Sequence, residues 1–379
     1  MTFDFDAPLD RHHTGSTKWS RYAEDVLPMW VADMDFAVAP KIVAALQERL
    51  AHPVFGYAAA GQRLRERIVA HCEAHYGWSI AAEEIVFLPG VEPGFNMALK
   101  ALARPGAGVV VNTPVYRPML NAPGHWDLER IDLPLLGDAN AIDADALDAA
   151  LKRALIYLLC NPHNPVGKVF MREELEALAK ACLDHDAWIV SDEIHCDLVF
   201  DGRPHIPIAS LDADVAKRTI TLMAASKTWN IAGLKTAFAI IPDAALRARF
   251  EATRLGMVDS VNVFGLIATE AALEHGEPWR RALIDHLTRN RDHLEEAVRT
   301  RLPGVRMKTP EATFLAWLDC SSMRLAPDPQ QFFLDHARVA LSAGSDFSAA
   351  HGQWVRLNFG CTRAVLDEGI TRIEASLAL

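Results

Sequence analysis

The sequence predicts an α/β protein with a mainly parallel mixed sheet in a large domain, followed by a smaller α+β domain. Three observations predict it. Between about Glu84 and Ile241, six strand-length runs are apolar throughout rather than alternating, as strands buried on both faces of a sheet are. The segments between them, such as Arg172 to Asp184, carry helical spacing, and strands alternating with helices mark a layered sheet with parallel pairing. After about His275 the alternation gives way to a long helix candidate, Pro278 to Arg299, and then to short strands and helices.

In chain order, the first 40 or so residues are irregular and rich in Trp, Pro and Asp. Residues 1–45 are read as an N-terminal arm that forms part of the small domain, 46–275 as the large domain and 276–379 as the small C-terminal domain. The strand runs are Ile85-Val86-Phe87-Leu88, Val109-Val110-Val111, Leu155 to Leu159, Trp188-Ile189-Val190, Thr219 to Met223 and Ala237 to Ile241, each closed by Gly, Pro, Asn or Ser. Thr313 to Leu318 and Trp354 to Asn358 are strand candidates of the small domain.

A chain of 379 residues, half of them apolar, exceeds the usual size of a single core, so two domains are expected. The net charge of -11 disfavours nucleic acid and anionic membrane as partners and leaves a small molecule as the simpler substrate. Met1 to Asp6 lack the positive leader and apolar stretch of a signal peptide, and no segment is apolar for long enough to span a bilayer; a cytoplasmic protein is expected. The cysteines, Cys72, Cys160, Cys182, Cys196, Cys320 and Cys361, are scattered without a CxxC pair and read as buried, reduced thiols. His12 with His13, and His195 beside Cys196, lack the spacing of metal motifs, and no metal is expected.

In open α/β sheets ligands bind beyond the carboxyl ends of the strands. Gly90-Val91-Glu92-Pro93-Gly94 follows the first run and precedes a helix candidate, whose N-terminal amides could hold a phosphate. Asn161-Pro162-His163-Asn164-Pro165-Val166-Gly167 follows the third, Ser191-Asp192-Glu193-Ile194-His195 closes the fourth, and Ala224-Ala225-Ser226-Lys227-Thr228-Trp229-Asn230 follows the fifth. An acid and a lysine thus leave neighbouring strand ends. Pyridoxal phosphate needs such a pair: an amine to form an imine, and a carboxylate to keep the pyridine nitrogen protonated. Either residue alone reads equally as half of a structural ion pair or as a helix cap.

These segments, with Trp30-Val31-Ala32-Asp33-Met34-Asp35-Phe36, Val54-Phe55-Gly56-Tyr57, Asn164 to Val169, Ser226 to Leu234 and Val355-Arg356-Leu357-Asn358-Phe359-Gly360-Cys361, resemble the fold-type I pyridoxal-phosphate enzymes of the aspartate aminotransferase superfamily. The likeness covers essentially the whole chain and is nearest to the MalY/PatB-type carbon–sulfur lyases, the cystathionine β-lyases. It implies that Lys227 is the imine lysine, Asp192 the pyridinium partner, Asn164 the donor to the ring's phenolic oxygen and Tyr116 the aromatic over the ring. The amides of Val91 and Glu92 would meet the phosphate, with Ser226 and Lys235 as further ligands. Tyr57 would reach the phosphate of a neighbouring subunit, which implies a homodimer. Arg356 would hold the substrate α-carboxylate through a two-pronged bond.

Tyr57 and Tyr116 read otherwise as packed aromatics, Arg356 as a buried salt bridge, Lys235 as a solvated charge and Asn164 as a turn former. Two departures matter. His195 stands where aminotransferases of the superfamily commonly have tyrosine, as in the lyase branch, and Ala224 stands where they commonly have serine, leaving Ser226 or Lys235 to compensate. The resemblance implies α,β-elimination from L-cystathionine or a related cysteine S-conjugate, giving a thiol, pyruvate and ammonia. An aminotransferase on the same fold and a non-catalytic binding protein are the alternatives.

Overall fold

In the computed structural model, which describes residues 3–104 and 106–378, each of the six apolar runs forms a strand. The large sheet contains β1 (Ile85–Leu88), β2 (Gly108–Thr113), β3 (Glu129–Pro134), β4 (Ala154–Cys160), β5 (Trp188–Asp192), β6 (Thr219–Met223) and β7 (Ala237–Ile240). Their spatial order is β1-β7-β6-β5-β4-β2-β3. Pairing is parallel from β6 across to β3, while β7 runs antiparallel to both β6 and β1. The sheet is mixed and mainly parallel, as expected. The apolar runs do not show β3, an edge strand on which Glu129, Arg130, Asp132 and Pro134 are exposed; with so much of it facing water it has no continuous apolar stretch.

The uninterrupted apolar character of the central strands follows from burial on both faces. Val109, Val111, Ile156, Leu158 and Val190 pack on one side with Phe95 and Leu99, whereas Val110, Tyr157, Leu159 and Ile189 pack on the other with Leu175 and Leu178. Successive residues of a strand point to opposite faces, and each fully buried Val, Leu or Ile contributes about 1.5–3 kcal/mol. The helices that matter for the site are α1 (Gln62–Tyr76), α2 (Val91–Leu102), α3 (Arg172–Asp184), α4 (Val263–His275) and α5 (Glu277–Arg301). Helix α3 begins where Glu174 Oε2 accepts the amide of Met171 at 2.9 Å, the reciprocal half of a capping box.

The chain divides into two compact units. One comprises Val38–Pro162 and Val169–Pro278 and carries the large sheet. The other comprises the residues up to Ala37, the segment His163–Lys168 and the residues from Trp279 onward. Its four-stranded antiparallel sheet contains β8 (Arg306–Met307), β9 (Leu315–Asp319), β10 (Ser342–Ala343) and β11 (Trp354–Asn358), in the order β10-β11-β9-β8. The irregular first segment is fixed in this unit by a buried charge cluster: Asp35 accepts from Lys18 at 2.7 Å and from Arg11 at 2.6 Å.

Among the described residues no helix is long and apolar enough to cross a membrane. Met1 and Thr2, with which the leader reading begins, lie outside the described residues. All six cysteines are buried, and none of them forms a disulfide.

Candidate active site

Parallel strands place their carboxyl ends along one sheet edge. Cys160 lies opposite Asp192 and Asp192 opposite Leu222, and the ladder continues past the strands: Asn161 N donates to Asp192 O and Glu193 N to Leu222 O, both at 2.9 Å. Asp192, the last residue of β5, is only 4% exposed. Burial pushes its carboxyl up from 3.8 to about 7, because a carboxylate out of water loses its solvation. A hydrogen bond from Ile194 N to Oδ1 at 3.1 Å opposes this. The charge of Glu193 adds to the rise and that of Lys227 counters it. Glu193 is itself anchored in the interior, accepting from Ser191 Oγ at 2.8 Å and paired with His205 Nε2 at 2.7 Å.

Lys227 follows β6 in a tight turn, in which Trp229 N donates to Ala225 O and Ile231 N to Ser226 O, each at 3.0 Å. Ala224, Ala225, Thr228 and Trp229 are buried, and Ser226 and Lys227 are half-buried. Acid and lysine therefore leave the ends of adjacent parallel strands. Val91 and Glu92 open α2 directly after β1, where first-turn amides have no intrahelical acceptor; Val91 is buried and Glu92 exposed. Tyr116, half-buried, follows β2 and packs against the core. His195 is buried three residues beyond Asp192. Lys235 and Tyr57 are exposed, Tyr57 to 97%. Among the described residues no side-chain hydrogen bond or ion pair joins either of them to the strand-end residues.

The second unit holds Asn164 and Arg356. Arg356 sits mid-strand on β11, opposite Trp317 of β9 and Ser342 of β10, and is 5% exposed. Its Nη1 donates to Asn164 Oδ1 at 3.0 Å, and its Nη2 to Trp30 O at 3.0 Å and Ser342 Oγ at 3.3 Å. The guanidinium carbon stands 4.7 Å from the centre of the Phe347 ring. These groups fix the plane of the guanidinium. Asn164 lies in a hairpin closed by His163 N to Lys168 O and Gly167 N to His163 O, both at 2.8 Å. Gly167 is required there: its φ is +69°, and a Cβ would stand 3.0 Å from Pro310 Cα and press on Pro310 Cβ.

Sequence reasoning missed what holds Arg356. The Trp30 contact is a backbone carbonyl, which no side chain reports, and Ser342 and Phe347 carry no local motif.

The family of class I and II aminotransferases matches residues 24–373. The chain belongs to it. Among this family's members it is 40% identical over 387 aligned positions to the cystathionine beta-lyase PatB of Bacillus subtilis (strain 168), covering 99% of this chain and 100% of that protein. A crystal structure of OvoB is 44% identical with a TM-score of 0.95, covering 99% of each chain. The structure of a PLP-bound C-S lyase from Staphylococcus hominis is 30% identical with a TM-score of 0.93, covering 100% of this chain and 99% of that one. The fold-type I architecture expected from the sequence is the observed one.

Proposed function

We propose that this chain is a pyridoxal 5'-phosphate-dependent carbon–sulfur β-lyase that converts L-cystathionine or a related cysteine S-conjugate into a thiol, pyruvate and ammonia. The observation that carries the reading is the placement of Asp192 at the end of β5 and of Lys227 in the turn that follows the adjacent parallel strand β6. Full-length likeness to a cystathionine beta-lyase and a C-S lyase supports it.

The residues fit the cofactor. A carboxyl held up to about 7 by burial ionises readily only beside a cation, and a protonated pyridine nitrogen is one. The N-terminus of the 12-residue α2 suits a phosphate, with Ser226 and Lys235 as further donors. When bound, pyridoxal phosphate supplies an electron sink for negative charge at the substrate α-carbon.

The chain's own residues do the rest. Asp192 keeps the ring nitrogen protonated, and His195 lies beside it in the sequence segment that frames the ring. Asn164 donates to the ring's phenolic oxygen and Tyr116 offers an aromatic face. Lys227 Nζ would hold the cofactor and, once the substrate amine has taken its place, would be free to take the proton from the substrate α-carbon as general base. Arg356 orients the substrate by its α-carboxylate, for which a planar fork is better suited than an ammonium. A thiolate is a good leaving group, so loss of sulfur from the β-carbon follows readily once the α-proton is gone.

The active form is a cytoplasmic homodimer in which Tyr57 reaches the neighbouring subunit. The exposed side chains of Val54, Phe55 and Tyr57, close together in the chain, support this, since grouped exposed apolar side chains mark contact surfaces. Pure protein given L-cystathionine should release pyruvate and free thiol in equal amounts. Amino transfer to an added 2-oxo acid without ammonia would point to an aminotransferase instead, and visible colour and turnover that survive Lys227→Ala would overturn both.

A further inference from the structure

Away from the strand-end residues, the large unit brings together a set of metal-ligating side chains whose one local signal is the His-x3-His spacing of His71 and His75. His71 and His75 lie one turn apart on α1, with rings stacked at 4.2 Å between centres. His71 Nε2 stands 3.0 and 3.2 Å from the two oxygens of the buried Asp197. One ligand atom from each of His71, His75 and Asp197 lies within 4.8 Å of the others. Glu277 at the start of α5 adds a fourth group, its Oε2 3.9 Å from His75 Nε2. We propose that His71, His75, Asp197 and Glu277 form a site for a divalent transition metal of the zinc type.

Two imidazoles and two carboxylates are a ligand set that such an ion accepts in tetrahedral geometry. With metal–ligand bonds of about 2.0–2.1 Å, ligand atoms in a tetrahedron stand about 3.3 Å apart. The His71–Asp197 edge is already at that separation. Contraction is needed at the His75 and Glu277 edge, where both side chains are a quarter or more exposed and can turn. Tyr76 Oη donates to Asp197 Oδ1 at 2.6 Å and stands 3.4 Å from His71 Nε2, orienting the carboxylate as outer partners of metal ligands do. On binding, the ion takes the place of the hydrogen between His71 Nε2 and Asp197, and the neutral imidazole carries its proton on Nδ1.

The site lies against both segments that carry the proposed chemistry. Asp197 comes five positions after Asp192 (197 minus 192), and the His71 ring is 6.0 Å from the ring of Trp229, two positions after Lys227 (229 minus 227). A bound ion would therefore clamp α1 to the segment following β5 and stiffen the frame around the acid and the lysine.

The test uses tag-free holoenzyme stripped of metal with a chelator and titrated with Zn²⁺ against a chromophoric competitor, with thermal melting read in parallel. One ion per chain should bind and raise the melting temperature. His75→Asn, at the surface and outside the His71–Asp197–Tyr76 bonds, should weaken binding at least tenfold while leaving cofactor absorbance unchanged; Glu277→Gln should weaken it by a smaller factor. Binding of equal strength in wild type and both variants, which would place the ion elsewhere, or no binding at all, overturns the proposal.

Discussion

Arg356 and Asn164, 192 positions apart in the chain, are joined by a 3.0 Å hydrogen bond from the guanidinium Nη1 to the amide Oδ1. The bond settles which end of the amide is which: the oxygen faces arginine, so the Nδ2 donors point away from it. That orientation is what donation to a phenolic oxygen requires.

Replacing Asn164 by Asp tests this directly. The aspartate keeps an oxygen for Arg356 and replaces the outward donor with an acceptor, so the fold should hold while kcat/KM falls. The expected loss is tenfold to about a hundredfold, equivalent to one hydrogen bond to a charged group at about 1.5–3 kcal/mol. The cofactor's visible band should shift, because its phenolic oxygen loses a donor. An unchanged spectrum with unchanged kcat/KM would remove Asn164 from the site.

Arg356→Lys separates charge from geometry. Lysine keeps the positive charge, but its three donors radiate from a single nitrogen in place of a planar fork, so it cannot reproduce the spread bonds to Asn164, Trp30 O and Ser342. The loss should fall mainly on substrate binding, with KM for L-cystathionine raised about a hundredfold and kcat changed less. A kcat that collapses at unchanged KM would show that Arg356 does not hold the substrate carboxylate.

How much of this was legible in the chain depends on where each residue's partners lie. Asp192 and Lys227 stand out in the chain because the first closes a run buried on both faces and the second lies in the turn after another, where a polar residue is conspicuous. β3 was invisible for the converse reason, its exposed Glu129, Arg130 and Asp132 reading as loop. The holding of Arg356 by the Trp30 carbonyl spans 326 positions, and the meeting of His71 with Asp197 spans 126; no local pattern encodes contacts that only folding creates. Lys235 was open between phosphate ligand and solvated charge, and its exposed position leaves both readings standing.

The turn that leads to Lys235 is held by close packing against α4. A Cβ on Gly265 would meet the Thr236 hydroxyl and the Leu234 carbonyl oxygen at less than contact distance, and a backbone carbonyl cannot rotate away as a side chain can. Gly265→Ala should therefore destabilise the protein by about 1–3 kcal/mol in chemical denaturation, the usual cost of overpacking. Because Leu234 and Thr236 flank Lys235, affinity for the cofactor should fall as well if Lys235 contributes to phosphate binding. Lost stability with unaltered cofactor affinity would assign the residue to packing alone.

The buried carboxyl of Asp192 makes a prediction about pH whose sign can be worked out. Its carboxyl is pushed up from 3.8 to about 7 in the folded chain, so the folded state holds this proton more tightly than the unfolded one. Its contribution to stability is then fully present below about pH 4 and is lost as the pH rises toward 7. The difference corresponds to about 4 kcal/mol at most. Asp192→Asn removes the ionisation while keeping the shape. In cofactor-stripped protein the variant should match wild type near pH 4 and be more stable than wild type at pH 8, by up to a few kcal/mol in urea denaturation. With pyridoxal phosphate bound the order should reverse, because the carboxylate regains a cationic partner that the amide cannot engage. Turnover of L-cystathionine by the variant should fall a hundredfold or more, within the range of about 10²–10⁴ that a positioned proton-handling group contributes. Wild-type apoprotein as stable as the variant at pH 8 would mean that the carboxyl is ionised without strain, and the argument for a cationic ring partner would lose its physical basis.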